Sequence, residues 1–225
     1  DVYKRQLYNR IDTKALQEKQ LSRTAARESL QLQPGCFYFV NVGRLHPDKD
    51  QSTLIQAFAD VSRRFDKARL MIFGKGRLQQ TLENQIARLE LKDKVTITSR
   101  EHIAHYLKAF DCFVLSSDHE PFGMVLLEAM AAGLPVVSTM EGGAGEVVGD
   151  SGWLFAQGDS EQLSGLMQSL YLMLADTADE PDRREIDKRQ HKMTERITQY
   201  FADQAAAEVF WNLPFVKTLD DTLAG

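Results

Sequence analysis

Two carboxylates in the run Ser116 to Thr139 sit in settings that call for a ligand. Glu120 precedes the turn Pro121-Phe122-Gly123, and Glu128 lies in the middle of an otherwise apolar helix, Met124 to Ala132, that Gly133 and Pro135 stop. An apolar helix is normally buried, and a lone carboxylate on it costs on the order of several kcal/mol unless something hydrogen-bonds it. Glu128 therefore needs a partner. The Phe122-Gly123 turn leaves the first backbone N–H groups of the helix free, and free N–H groups at the positive end of a helix dipole bind phosphate. A nucleotide supplies both hydroxyls and phosphate.

A second group of candidates follows the first strong strand. Arg44 and Lys49 lie in the loop Gly43 to Asp50, beside a glycine that lets a ligand approach the backbone, and together they could clamp a diphosphate. Each cation taken singly also fits an ordinary surface loop. Other patterns carry less. Gly74-Lys75-Gly76 begins a dinucleotide fingerprint, but its third glycine would fall on Gln79, and no P-loop sequence is present. His102 and His105 are one helical turn apart and Asp118-His119-Glu120 is contiguous, yet neither has the ligand spacing of a metal site, so structural roles are expected.

The elements that must position these residues follow from the apolar pattern. Cys36 to Val42, Arg69 to Phe73, Lys94 to Thr98, Cys112 to Leu115 and Val136 to Ser138 are short runs rich in β-formers, as in strands covered on both faces. Between them, Leu54, Ala57, Phe58, Val61 and Phe65, then Leu78, Leu82, Ile86 and Leu89, fall at helical spacing, and Ile103, Leu107 and Phe110 mark a short helix. The alternation predicts an α/β fold with a Rossmann-like, doubly wound parallel sheet. In such sheets ligands bind at the carboxyl ends of the strands, the rim from which the loops at Gly43 to Lys49, Gly74 to Gly76, Thr98 to His102 and Ser116 to Gly123 depart. Thr13 to Leu30 has helical character. Gly142-Gly143 and Gly149 to Gly152 read as turns, Leu163 to Leu174 as a helix, Asp176 to Asp182 as an acidic connector, and Arg183 to Phe210 as a final helix.

Bulk properties exclude several classes. With 27 basic and 32 acidic residues the net charge is −5, so general electrostatic affinity for nucleic acid is not expected. Arg183, Arg184, Lys188, Arg189 and Lys192 alternate with acids and read as a solvated helix face. Cys36 and Cys112 lie in apolar strands, which suits reduced core thiols in a cytosolic protein. No stretch reaches the ~20 uninterrupted apolar residues of a membrane span. The chain opens Asp1-Val2-Tyr3 without an initiator Met or a signal peptide, which predicts a fragment or a processed product.

Four motifs in order carry a resemblance: Gly43-Arg-Leu-x-x-Asp-Lys-Asp50, Arg100-Glu-His-Ile103, Glu120-Pro-Phe-Gly-Met-Val-Leu-Leu-Glu128-Ala-Met-Ala and Gly142-Gly-x-x-Glu146. From about Leu7 to about Leu174 the chain resembles the carboxyl-terminal, donor-binding domain of retaining GT-B glycosyltransferases of the "glycosyl transferases group 1" type. The resemblance implies that Arg44 and Lys49, beside Gly43, neutralise the diphosphate of a nucleotide-sugar, expected to be UDP-linked, without a metal. It implies that the backbone of Pro121 to Val125, with the N–H groups of Phe122, Gly123, Met124 and Val125, holds the same diphosphate. Glu128 then takes the ribose hydroxyls, Glu120 the sugar hydroxyls, and the base lies by Ser99 and Arg100. Thr98 departs from the group, which often has Gly there. The implied division is a linker and covering helix over 1–33, a nucleotide-sugar-binding domain over 34–176 and a helical extension over 177–225.

The expected activity is retaining transfer of a hexosyl unit to a surface-polysaccharide or lipid-linked glycan, at the cytoplasmic face of the plasma membrane. The acceptor would be held by an amino-terminal domain for which this chain has no room. The chain alone is expected to transfer poorly or not at all, and any membrane contact would be peripheral, through the other half. A nucleotide-sugar epimerase of related architecture and a module that only binds nucleotide are the alternatives.

Overall fold

The computed structural model describes residues 11–118, 120–174 and 180–202. Six parallel strands form one sheet: β1 (Phe37–Val42), β2 (Ala68–Phe73), β3 (Val95–Thr98), β4 (Cys112–Leu115), β5 (Val136–Thr139) and β6 (Trp153–Phe155). Their spatial order is β3-β2-β1-β4-β5-β6. The five strands expected from the apolar runs are present. The sixth was missed because three residues are too few to show a period, and it pairs with β5 through Val137 and Trp153.

Helices cover both faces: α3 (Gln51–Arg64), α4 (Gln79–Arg88), α5 (Met124–Ala131) and α6 (Gly142–Val148) lie in the crossovers, and α7 (Ser160–Leu174) follows the last strand. Alternation along each strand feeds two cores. Phe39, Leu70, Ile72 and Val114 face α3, α4 and α7, whereas Tyr38, Val40, Phe73 and Phe113 face α5 and α6. Burying each large apolar side chain contributes roughly 1.5–3 kcal/mol, which is why the sheet tolerates few polar residues. Asn41 is one, and its Nδ2 donates to Val114 O at 2.8 Å across the β1–β4 seam.

Five details depart from the sequence expectation. The segment from Thr13 to Leu30 is two helices, α1 (Thr13–Lys19) and α2 (Arg23–Ser29), because Leu21 N–H donates instead to His105 O at 2.9 Å. Residues 103–109 form consecutive 3₁₀ turns. Gly142-Gly143 opens α6 and is no simple turn. The last described helix, α8 (Glu180–Arg196), begins inside the expected acidic connector and ends in a π turn, Ile197–Phe201; the expected continuation to Phe210 lies outside the described residues. Arg189 and Arg196 do not simply meet solvent. Arg189 donates to Gly152 O and lies 4.5 Å over the Trp153 ring, and Arg196 Nε donates to Val147 O at 2.8 Å, so α8 ties down the turn between α6 and β6.

Candidate functional site

The strand order reverses between β1 and β4, and the loops leaving their carboxyl ends form the crevice in which open α/β sheets bind ligands. The first, Gly43 to Asp50, carries Arg44 and Lys49; the second, Ser116 to Gly123, carries Glu120. Hydrogen bonds join them. Asp118 N–H donates to Asp48 O at 2.9 Å and Ser116 Oγ to Lys49 O at 3.0 Å. Lys49 Nζ then reaches Glu120 Oε2 at 2.5 Å, with both side chains mostly sheltered, and Ser117 Oγ lies 3.5 Å from the same oxygen. Arg44 is at the same rim but turned outward. Its side chain is 74% exposed and pairs with Asp48 at 3.3 Å, while His46 Nδ1 lies 2.5 Å from the other Asp48 oxygen. Burial would raise the Asp48 pKa, but the His46 hydrogen bond and the charges of His46, Lys49 and Arg44 together hold it below the ordinary carboxylate range.

Two glycine pairs let these loops pack. A Cβ on Gly143 would lie 2.1 Å from Pro121 O, and Gly143 N–H donates to Glu120 O at 3.0 Å. On the other side, a Cβ on Gly74 would lie 1.9 Å from Gly43 O. The failed fingerprint at Gly74 to Gly76 is thus a close backbone contact that supports the Gly43 loop.

α5 starts at the end of the Glu120 loop. Its N-cap is Gly123 at φ 84°, which has no side chain to offer the helix amides. Among the described residues the N–H groups of Gly123, Met124 and Val125 have no hydrogen-bond partner. One turn on, the half-buried Glu128 has no side-chain hydrogen bond or ion pair among the described residues, and burial raises its pKa. It faces an open cleft of about 400 Å³ that it shares with Arg100, His102 and His105 and with Ala15, Leu16 and Lys19 of α1. Arg100 is held at the rim: its Nη2 donates to Ser29 Oγ at 3.0 Å and to Tyr106 OH at 2.8 Å, and it stacks 4.1 Å over the Tyr106 ring. Ser99, just past the end of β3, is exposed.

The family model for "Glycosyl transferases group 1" matches residues 22–193. The chain belongs to this family. It is 30% identical over 157 residues to an N-acetyl-alpha-D-glucosaminyl L-malate synthase of Bacillus anthracis, covering 68% of this chain and 40% of that one. It is 32% identical over 123 residues to an alpha-monoglucosyldiacylglycerol synthase of Streptococcus pneumoniae, covering 53% and 28%. Among solved structures, Anabaena Alr3699/HepE in complex with UDP and glucose superposes with a TM-score of 0.74 at 27% identity, covering 92% of this chain and 56% of that one. The chain thus spans well under two thirds of the length of each of these relatives.

In this group 1 glycosyltransferase chain, two sets of expected residues come together: Lys49 with Glu120, and Glu128 with Arg100. Arg44 reaches neither carboxylate. Sequence reasoning missed Ser117, His46 and Asp48, although acids and a histidine among the loop cations were a legible sign of internal pairing. It assigned His102 and His105 to structure alone, yet both line the Glu128 cleft, their rings stacked 5.4 Å apart. Among the described residues no three of His, Cys, Asp and Glu are grouped to hold a metal ion, and no helix is long and apolar enough to cross a membrane.

Proposed function

We propose that this chain is the donor-binding half of a retaining glycosyltransferase. The observation that carries the reading is that the loop leaving β4 and the helix after it bring together the Lys49–Glu120 pair, α5 amides without a hydrogen-bond partner among the described residues, and the carboxylate of Glu128, likewise without one among those residues. Glu128 follows Met124 by four residues, about 6 Å of helix rise, so one ribose bearing a phosphate can reach both. In this reading the α5 amides, Lys49 and Arg44 take the diphosphate, Arg44 by swinging from its exposed pairing with Asp48. Glu128 accepts from the ribose hydroxyls, the base enters the cleft beside Ser99 and Arg100, and Glu120 accepts from the sugar hydroxyls.

Catalysis is then positioning plus charge stabilisation on the leaving group. The bond between the anomeric carbon and the diphosphate oxygen breaks while the acceptor oxygen bonds on the same face. The acceptor proton passes to the departing diphosphate. Side-chain cations do the neutralising, so the reading requires no metal. A UDP-linked hexose is the proposed donor, supported by the UDP and glucose held by the Anabaena relative. A lipid-linked or surface glycan is the proposed acceptor, held by an amino-terminal half on the cytoplasmic side of the membrane.

Titration calorimetry of the chain with UDP, GDP and ADP tests the donor half. One of them should bind, and Lys49→Ala should weaken it by about tenfold or more, the usual size of a lost sheltered charge contact; Arg44→Ala should weaken it less. Failure of all three to bind overturns the reading. Product analysis with the sugar-linked donor alone separates a transferase from an epimerase, which needs no acceptor.

A further inference from the structure

The reading above, on which this inference rests, asks Lys49 to hold a diphosphate and Glu120 to hold a sugar, yet in the ligand-free site each holds the other. The contact is 2.5 Å long, with side chains 13% and 12% exposed. Their backbones are anchored independently of that contact: Lys49 O accepts from Ser116 Oγ at 3.0 Å, and Glu120 O accepts from Gly143 N–H at 3.0 Å. Only the side-chain ends can change partners. The pair is too sheltered to fall with exposed ion pairs, whose contribution is near zero, and removing one partner leaves the other charged in a poorly hydrated place.

We propose that Lys49 is a positioning cation shared between Glu120 and the diphosphate, and that this sharing makes the site favour sugar-bearing donor over spent nucleoside diphosphate. With donor bound, the sugar hydroxyls satisfy Glu120 and release Lys49 to the diphosphate. Once the sugar has been transferred, Glu120 has lost those hydroxyls and competes for Lys49, and the hold on the diphosphate weakens. Lys49 has three N–H donors, so it can touch both anions during the exchange. In the ligand-free site neither neighbouring cation takes the place of Lys49 on Glu120: Arg44 and His46 are both engaged by Asp48 there. The consequence that separates sharing from simple charge removal is that neutralising Glu120 should tighten product only while Lys49 is present.

The test is a double-mutant cycle read by calorimetry, using whichever of UDP, GDP and ADP binds tightest and its glucose conjugate. Glu120→Gln should tighten the nucleoside diphosphate by about three- to tenfold while weakening the conjugate relative to it. Lys49→Met should weaken the diphosphate, and adding Glu120→Gln to Lys49→Met should then change its affinity by less than about twofold. If Glu120→Gln fails to tighten the diphosphate, or tightens it equally with and without Lys49, the sharing is refuted while nucleotide binding stands; equal tightening would report only removal of a negative charge. If the unaltered chain binds none of the three nucleotides, the donor-site reading falls and takes the sharing with it. Should Glu120→Gln not fold, Glu120→Asp, one methylene short of Lys49, makes the same comparison.

Discussion

Burial makes the charged form of Glu128 costly to the fold. Its carboxylate is half-buried on an apolar helix, without a partner among the described residues, and burial raises its pKa. The sign of the linkage follows. Below about pH 4.5, the ordinary value, the group is protonated in both folded and unfolded chains and carries no penalty; as pH rises through the folded pKa, the penalty for the buried charge grows. Glu128→Gln should therefore stabilise the chain at pH 7.5 by about 1 kcal/mol, or about 2–4 °C in Tm, with the difference shrinking toward pH 4.5. Thermal melts at both pH values check it, and a difference independent of pH would mean that charge is not the cause. The same substitution should weaken nucleotide, since Gln offers one acceptor oxygen where a carboxylate offers two. Cys112 illustrates the opposite outcome of burial. Enclosed in β4, with Asp111 adjoining, its thiol is pushed far above the ordinary range and stays inert.

At the scale of elements, the site depends on how closely loops can approach. Gly143 brings the start of α6 against Pro121, where an added Cβ would meet backbone atoms at 2.1, 2.6 and 2.9 Å. Nothing there can yield as a flexible side chain would. Gly143→Ala should cost about 2 kcal/mol or more and displace the Glu120 loop, seen as a Tm loss of roughly 4–8 °C together with weakened sugar-nucleotide binding. Gly165 is the control. It lies inside α7 with nothing within 4 Å of an added Cβ, so Gly165→Ala should raise stability by about 0.5–1 kcal/mol and leave binding unchanged. A glycine that costs stability in a helix is thus distinguished from one that a contact requires.

For the whole molecule, the proposed division of labour separates binding from transfer. This chain should take up nucleotide without measurable transfer, because the acceptor wall of the site is proposed to lie in the part of the relatives' length that it does not span. In the full-length enzyme, Glu120→Ala should lower transfer by about 1,000-fold, since the residue is proposed to orient the reacting sugar. Survival of activity within about tenfold would remove Glu120 from that role. Turnover by the 225-residue chain alone would overturn the two-half account.

The amino-acid sequence by itself determined the class of fold, because alternating apolar runs and helical stripes are local and each strand signals its own burial. It also determined which residues to watch, since Glu128 on an apolar helix and Gly123 at its start are anomalies of composition. It did not determine β6, whose three residues lie below any period, or the break between α1 and α2, which depends on a hydrogen bond to His105 more than 80 positions away. Only the tertiary structure decided that Lys49 faces Glu120 while Arg44 faces Asp48. Both cations lie in one loop that also offers Asp48 as a local partner, and which of them is left for Glu120 is settled by the reversal of strand order, which sets the β1 loop beside the β4 loop and leaves one cation within reach of the carboxylate.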